Sequence, residues 1–147
     1  MSLGQVSILD GKFVSRNLEN FHQGSKCFKP ELDSGNNSEP GPLYFRNRER
    51  FFGDATPHRH KFKFKPEYFV WIDAQDRVHK LGYVQSRQFY CNFYERLASR
   101  TADFERLKQL LADGTNLQIC GYDGRHIRPD DVEAEYLNEQ KPFGHEL

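Results

Sequence analysis

Arg87, Cys91 and Glu95 recur at intervals of four along the run Val84-Gln85-Ser86-Arg87-Gln88-Phe89-Tyr90-Cys91-Asn92-Phe93-Tyr94-Glu95. On a helix this spacing sets three side chains along one edge. Phe89, Tyr90, Phe93, Tyr94 and Leu97 fall at i, i+1, i+4, i+5 and i+8, a wide aromatic stripe beside that edge. The residue types suit a ligand built from phosphate, base and sugar. A guanidinium at Arg87 is a planar fork that matches paired phosphate oxygens. The rings of Tyr90 or Tyr94 can stack on a base. A carboxylate at Glu95 can stabilise a developing oxocarbenium charge or activate water. The same spacing also fits a helix with an Arg at its start and a solvated Glu on its flank.

Gly121-Tyr122-Asp123-Gly124 follows the apolar run from Asn116, which reads as a strand with Leu117 and Ile119 facing the core. Groups at the carboxyl end of a strand are held rigidly while the loop beyond varies. Asp123 is therefore a second acid/base candidate or a ribose-hydroxyl acceptor, with at least one of Tyr90, Tyr94 and Tyr122 expected on the pocket wall. A plain turn would also use Asp and Gly here. We expect Arg87 and Asp123 to meet on the rim of one pocket.

His145-Glu146 pairs an imidazole with a carboxylate, with His126 upstream, and is a further candidate base or metal ligand. His58 and His60 share a face at i, i+2, but no third ligand stands at a recognised spacing. No metal and no cofactor is expected. The sequence has no P-loop, no GxGxxG and no nucleophilic serine motif.

Arg46, Arg48 and Arg50 precede a second basic stretch, His58-Arg59-His60-Lys61-Phe62-Lys63-Phe64-Lys65. Period two reads as a strand, with Phe62 and Phe64 on one face and Lys61, Lys63 and Lys65 on the other. Cations beside rings suggest nucleic-acid binding. Phenylalanines facing away from the lysines fit a half-buried strand better than a stacking platform. Two function classes follow: a pocket for a nucleotide-derived small molecule, or a non-enzymatic interaction module working through Arg46 to Lys65. The first requires Arg87, Glu95 and Asp123 to converge, and the second requires the cations to gather on an open face.

Residues 84–147 resemble the NADAR superfamily, named for its association with NAD and ADP-ribose. The resemblance rests on Arg87 at a helix start and on a leucine-rich helix ending in Gly (Leu107, Leu110, Leu111, Gly114). It also rests on the strand Leu117-Gln118-Ile119-Cys120 and on His145 near a helix entry. It implies an α+β domain with a pocket for ADP-ribose or a similar derivative, and hydrolysis of an N-glycosidic bond.

The elements that must position these residues follow from period and punctuation. Val6 to Ser15 flanks Asp10-Gly11 and reads as a hairpin. Asp33 to Pro42 is rich in Ser, Asn, Gly and Pro and reads as a flexible loop. Tyr68 to Asp73, the turn 74–77 and Val78 to Tyr83 form a second hairpin. After the helix from Ser86, Thr101 can cap another, which buries Phe104, Leu107, Leu110 and Leu111 and stops at Gly114. Pro129 suits the first turn of a helix carrying Val132, Tyr136 and Leu137. The fold class is α+β, with hairpins followed by helix, helix, strand and helix in a single domain over 1–147. The chain end reads either as a short terminal turn or as the cut edge of a longer parent.

Thirteen Phe, seven Tyr and one Trp against one Met make a core of rings. We expect Trp71, Phe89, Phe93, Leu97, Phe104, Leu107, Leu111, Leu117 and Ile119 in it. Lys and Arg number 21, as do Asp and Glu, which argues against a generally basic nucleic-acid coat but leaves room for a local patch. Cys27, Cys91 and Cys120 are odd in number, so a disulfide framework is not expected, and Cys91 and Cys120 read as inert core thiols. No apolar run nears the roughly 20 residues of a membrane span and no signal peptide opens the chain, so the expectation is a cytoplasmic protein away from membranes.

Overall fold

The computed structural model describes residues 6–8, 13–120 and 126–141. The architecture is α+β, and the chain divides into two compact units, 1–86 and 87–147. The turn at Asp10-Gly11, the Tyr122-Asp123 candidates and His145-Glu146 lie outside the described residues.

In the first unit β1 (Val6–Ile8) and β2 (Phe13–Ser15) pair antiparallel, with Val6 opposite Ser15 and Ile8 opposite Phe13, the register of the expected hairpin. Next comes α1 (Leu18–Ser25). Its N-cap is Asn17, whose side chain accepts from the Asn20 N–H at 2.8 Å and satisfies one of the helix's orphan donors. β3 (Lys26–Cys27) then pairs with the central strand β4 (Tyr68–Ile72), which pairs with β5 (Val78–Leu81), all antiparallel. Phe69, Val70 and Ile72 of β4 are buried, as its near-continuous apolar run requires. Asp73 closes the β4–β5 turn. It accepts from the Gln75 and Arg77 N–H groups at 2.9 Å each and meets the Arg77 Nε and His79 Nε2 at 2.7 Å each. His79 first, with Arg77 and the two amides, holds its carboxyl far below the usual range despite some desolvation.

Between β3 and β4 in the chain lies α2 (Pro42–Gly53), which starts with Pro at its first position and packs against α1. Tyr44, Arg48 and Phe52, each four residues apart, form its buried edge. Tyr44 joins Cys27, Val70 and Ile72 in the core, and its hydroxyl donates to the Gly24 carbonyl at 3.0 Å. The core therefore sits where α1 and α2 cover the sheet. The preceding loop is closed by Asp33 N–H to Glu39 O at 2.9 Å and Gly41 N–H to Glu31 O at 2.8 Å. A Cβ at Gly41 would lie 2.9 Å from the Asp33 Cα and 3.0 Å from the Leu32 carbonyl oxygen. Because these obstacles are backbone, Gly41→Ala is expected to cost about 1–3 kcal/mol in urea unfolding. An unchanged midpoint would mean that the loop gives way freely.

The helix α3 (Tyr83–Ala98) runs across the boundary between the units. In the second unit α4 (Ala102–Ala112) is capped by the Thr101 hydroxyl, which accepts from the Phe104 N–H at 3.2 Å, and ends at Gly114 with φ +85°. A 3-10 turn at Pro129–Asp131 leads into α5 (Val132–Leu137).

Several expectations change. Residues 116–120 form no ladder with any described residue, and Ile119 is 85% exposed. Phe104, Leu107 and Leu111 keep their helical spacing, but no described element covers them and all three are exposed. Cys91 and Cys120 are exposed thiols; Cys27 is the buried one. Trp71, Phe89, Phe93, Leu97 and Leu117 are half-buried rather than central. Residues 58–65 are not a strand, for a reason that leads to the site.

Candidate functional site: a basic aromatic groove beside α2

Asn17, Asn20 and Gln23 stand three residues apart on α1 and its cap, and all three are buried. Their amides serve the backbone of residues 54–60. The Asn20 Nδ2 donates to the carbonyls of Asp54 at 3.0 Å and Thr56 at 2.9 Å, and its Oδ1 accepts from the His58 N–H at 2.8 Å. The Asn17 Nδ2 reaches the Ala55 carbonyl at 3.2 Å, and the Gln23 Oε1 accepts the His60 N–H at 3.2 Å. Side-chain amides thus replace the neighbouring strand that the alternation called for. Buried backbone groups must be paired, and here a helix pairs them.

The alternation survives in sidedness. His60 and Phe62 stack at 4.9 Å, Phe62 and Phe64 lie 5.1 Å apart, and all three rings pack against Phe28 at 4.3, 4.9 and 5.7 Å. Phe51 stacks on His60 from α2 at 5.3 Å. Arg59, Lys61, Lys63 and Lys65, the intervening residues, are exposed.

His60 is anchored by Glu31, which is fully buried. The Glu31 Oε1 lies 3.6 Å from His60 Nε2 and accepts from the Asn47 Nδ2 at 2.6 Å, while its Oε2 accepts the Phe28 N–H at 3.0 Å. Burial alone would push this carboxyl up. The contacts with His60, Asn47 and Phe28 outweigh it and hold the group below its ordinary value. Nearby, Asp54 accepts the Thr56 N–H at 2.8 Å and holds His58 Nε2 at 2.7 Å. The Thr56 amide first, then His58, keep the Asp54 carboxyl low. His58 is about half exposed, so Asp54 orients an imidazole that solvent and ligand can reach. That arrangement can exchange a proton with a bound hydroxyl.

Between α2 and this segment lies a groove of about 440 Å³, lined among others by Arg50, Phe51, Asp54, His58, Arg59, Lys61 and Phe62. Arg50, Arg59 and Lys61 have no carboxylate partner among the described residues.

The residues singled out on α3 are placed differently. Arg87 is buried, and its guanidinium donates to the backbone carbonyls of Tyr136, Asn138 (3.0 Å) and Lys141 (2.9 Å). Those acceptors are at and beyond the C-terminal end of α5, where orphan carbonyls need donors, so Arg87 acts as a long-range cap. Tyr90 and Tyr94 stack on each other at 6.4 Å, and Glu95 is exposed two turns beyond Arg87. Of the basic row, Arg46 and Arg50 are exposed, whereas Arg48 is buried with its guanidinium 4.2 Å above the Phe52 ring. The described residues contain no group of three or more His, Cys, Asp or Glu arranged to hold a metal. No described helix is long and apolar enough to cross a membrane. Comparison with protein-family models, curated proteins and solved structures finds no match to the chain.

Proposed function

We propose that the chain binds a nucleotide-derived anion, of the ADP-ribose kind, in the groove between α2 and residues 58–62. One observation carries this reading. Three cations without carboxylate partners, Arg50, Arg59 and Lys61, line the same groove as the rings of Phe51 and Phe62. Against them stands one lining carboxylate, Asp54, already engaged by His58. The groove's volume lies in the usual range of small-ligand sites, roughly 300–1,000 Å³. Cations suit the phosphates, and an aromatic wall suits the base. Should the bound ligand be hydrolysed at an N-glycosidic bond, His58 with Asp54 is the pair that moves the proton.

Calorimetric titration with ADP-ribose and AMP tests the proposal. Arg59→Ala and Lys61→Ala should each weaken binding about tenfold or more, the usual worth of a charge-assisted hydrogen bond being about 1.5–3 kcal/mol. Heat that survives both substitutions and disappears in Glu95→Ala would move the site to α3. No heat at millimolar ligand with wild type would overturn the proposal.

A further inference from the structure

We infer that the groove's natural ligand is a single-stranded nucleic acid, which enters at Arg59 and Lys61 and continues along Lys63 and Lys65. This rests on the groove binding a nucleotide-type anion, and it names the polymer as the ligand class. Because His60, Phe62 and Phe64 turn one after another onto Phe28, the residues between them turn away from the body. Four cations in a row, Arg59, Lys61, Lys63 and Lys65, are consequently exposed along one edge. Only the first two line the groove. Lys63 and Lys65 extend the same edge past it, where a lone nucleotide has no phosphate to offer.

A ligand that repeats its charge can meet all four. The four cations recur at every second residue, and the neighbouring phosphates of a flexible strand can adjust to such a row. Lys65 is steadied by the Tyr83 ring, 4.2 Å from its Nζ. Glu67 is exposed just beyond and bounds the track with a negative charge. The rings decide for a single strand over a duplex. Phe64 is 51% exposed at the far end and Phe62 lines the groove, and a ring can stack only on a base that is not already paired. Stackable rings also favour a nucleic acid over an acidic polypeptide.

The test uses the full chain, fluorescence anisotropy and a salt series. Labelled oligothymidylate of about 12 nucleotides should bind at least tenfold more tightly than thymidine monophosphate. Its log K should fall against log salt with a slope of about −2 to −3, near 0.7 per phosphate contact. Replacing Lys63 and Lys65 together by Ala should reduce that slope by about 1.4 while the monophosphate still binds. Oligouridylate of equal length distinguishes RNA from DNA. Three results would overturn the inference: an oligonucleotide no tighter than the monophosphate, a slope unchanged in the double variant, or equal binding of duplex or polyglutamate. In each of these the monophosphate still binds and the groove reading survives. If neither monophosphate nor oligonucleotide binds, the groove reading itself falls.

Discussion

Phe52→Ala is expected to destabilise the chain by about 3–5 kcal/mol in urea unfolding, whereas Leu111→Ala should cost less than about 1 kcal/mol. Both residues belong to helical apolar rows, but only one is covered. Phe52 is 5% exposed and Leu111 is 57% exposed. Phe52 packs against the Phe21 ring at 5.9 Å and lies beneath the Arg48 guanidinium at 4.2 Å. It also fixes how closely α2 approaches α1, since a Cβ at Gly24 would come within 3.0 Å of its ring. Truncation removes a ring from the closest helix contact and takes away the aromatic face on which a buried cation rests. Against a total of roughly 5–15 kcal/mol, that loss threatens the fold. Equal losses for the two variants would place the core in the wrong half of the chain.

The second large effect falls on Glu31. Glu31→Ala is expected to cost about 3–5 kcal/mol, the usual penalty for breaking a buried charged network from one side. The Phe28 N–H, the Asn47 amide and His60 all lose their acceptor together. The same carboxylate gives stability a definite pH dependence. Its folded-state pKa is depressed below the ordinary 4.5, so its contribution is fully present above that value and is lost as pH falls through the folded-state value. Glu31→Gln, which cannot titrate, should therefore lose less stability than wild type between neutral pH and about pH 3. Urea midpoints at the two ends of that window measure the difference. Parallel losses in both proteins would show that Glu31 is not the group responsible.

Much of the fold was legible because some signals are local. The β4–β5 hairpin follows from two apolar runs around a polar turn, and the ends of α4 follow from Thr101 and Gly114. Both early helices were missed, and each hides its pattern. The buried edge of α2 has an Arg at its middle position, so Tyr44-Arg48-Phe52 does not read as apolar. Much of the buried surface of α1 is amide rather than hydrocarbon, and Asn17-Asn20-Gln23 at intervals of three is the signal that could have been read. The site divides in the same way. The cationic aromatic run was visible, because composition and alternation mark it. That Arg87 would be spent on carbonyls about fifty residues further on was not, because only tertiary contact brings them within reach. Nor could local pattern show that α4 would leave its apolar row uncovered.

Cys27 turns the sheet into a recorder of its own opening. It sits on the edge strand β3 with no exposed surface, and burial pushes its thiol up to about 11. An alkylating reagent needs an accessible thiolate, so it can reach this sulfur only in molecules whose β3 has come away from β4. Cys91 and Cys120, both exposed in the same chain, report the reagent's rate at accessible thiols. The ratio of the Cys27 labelling rate to theirs, counted by mass, is a clock that reads how often the edge of the sheet breathes, with nothing added to the protein.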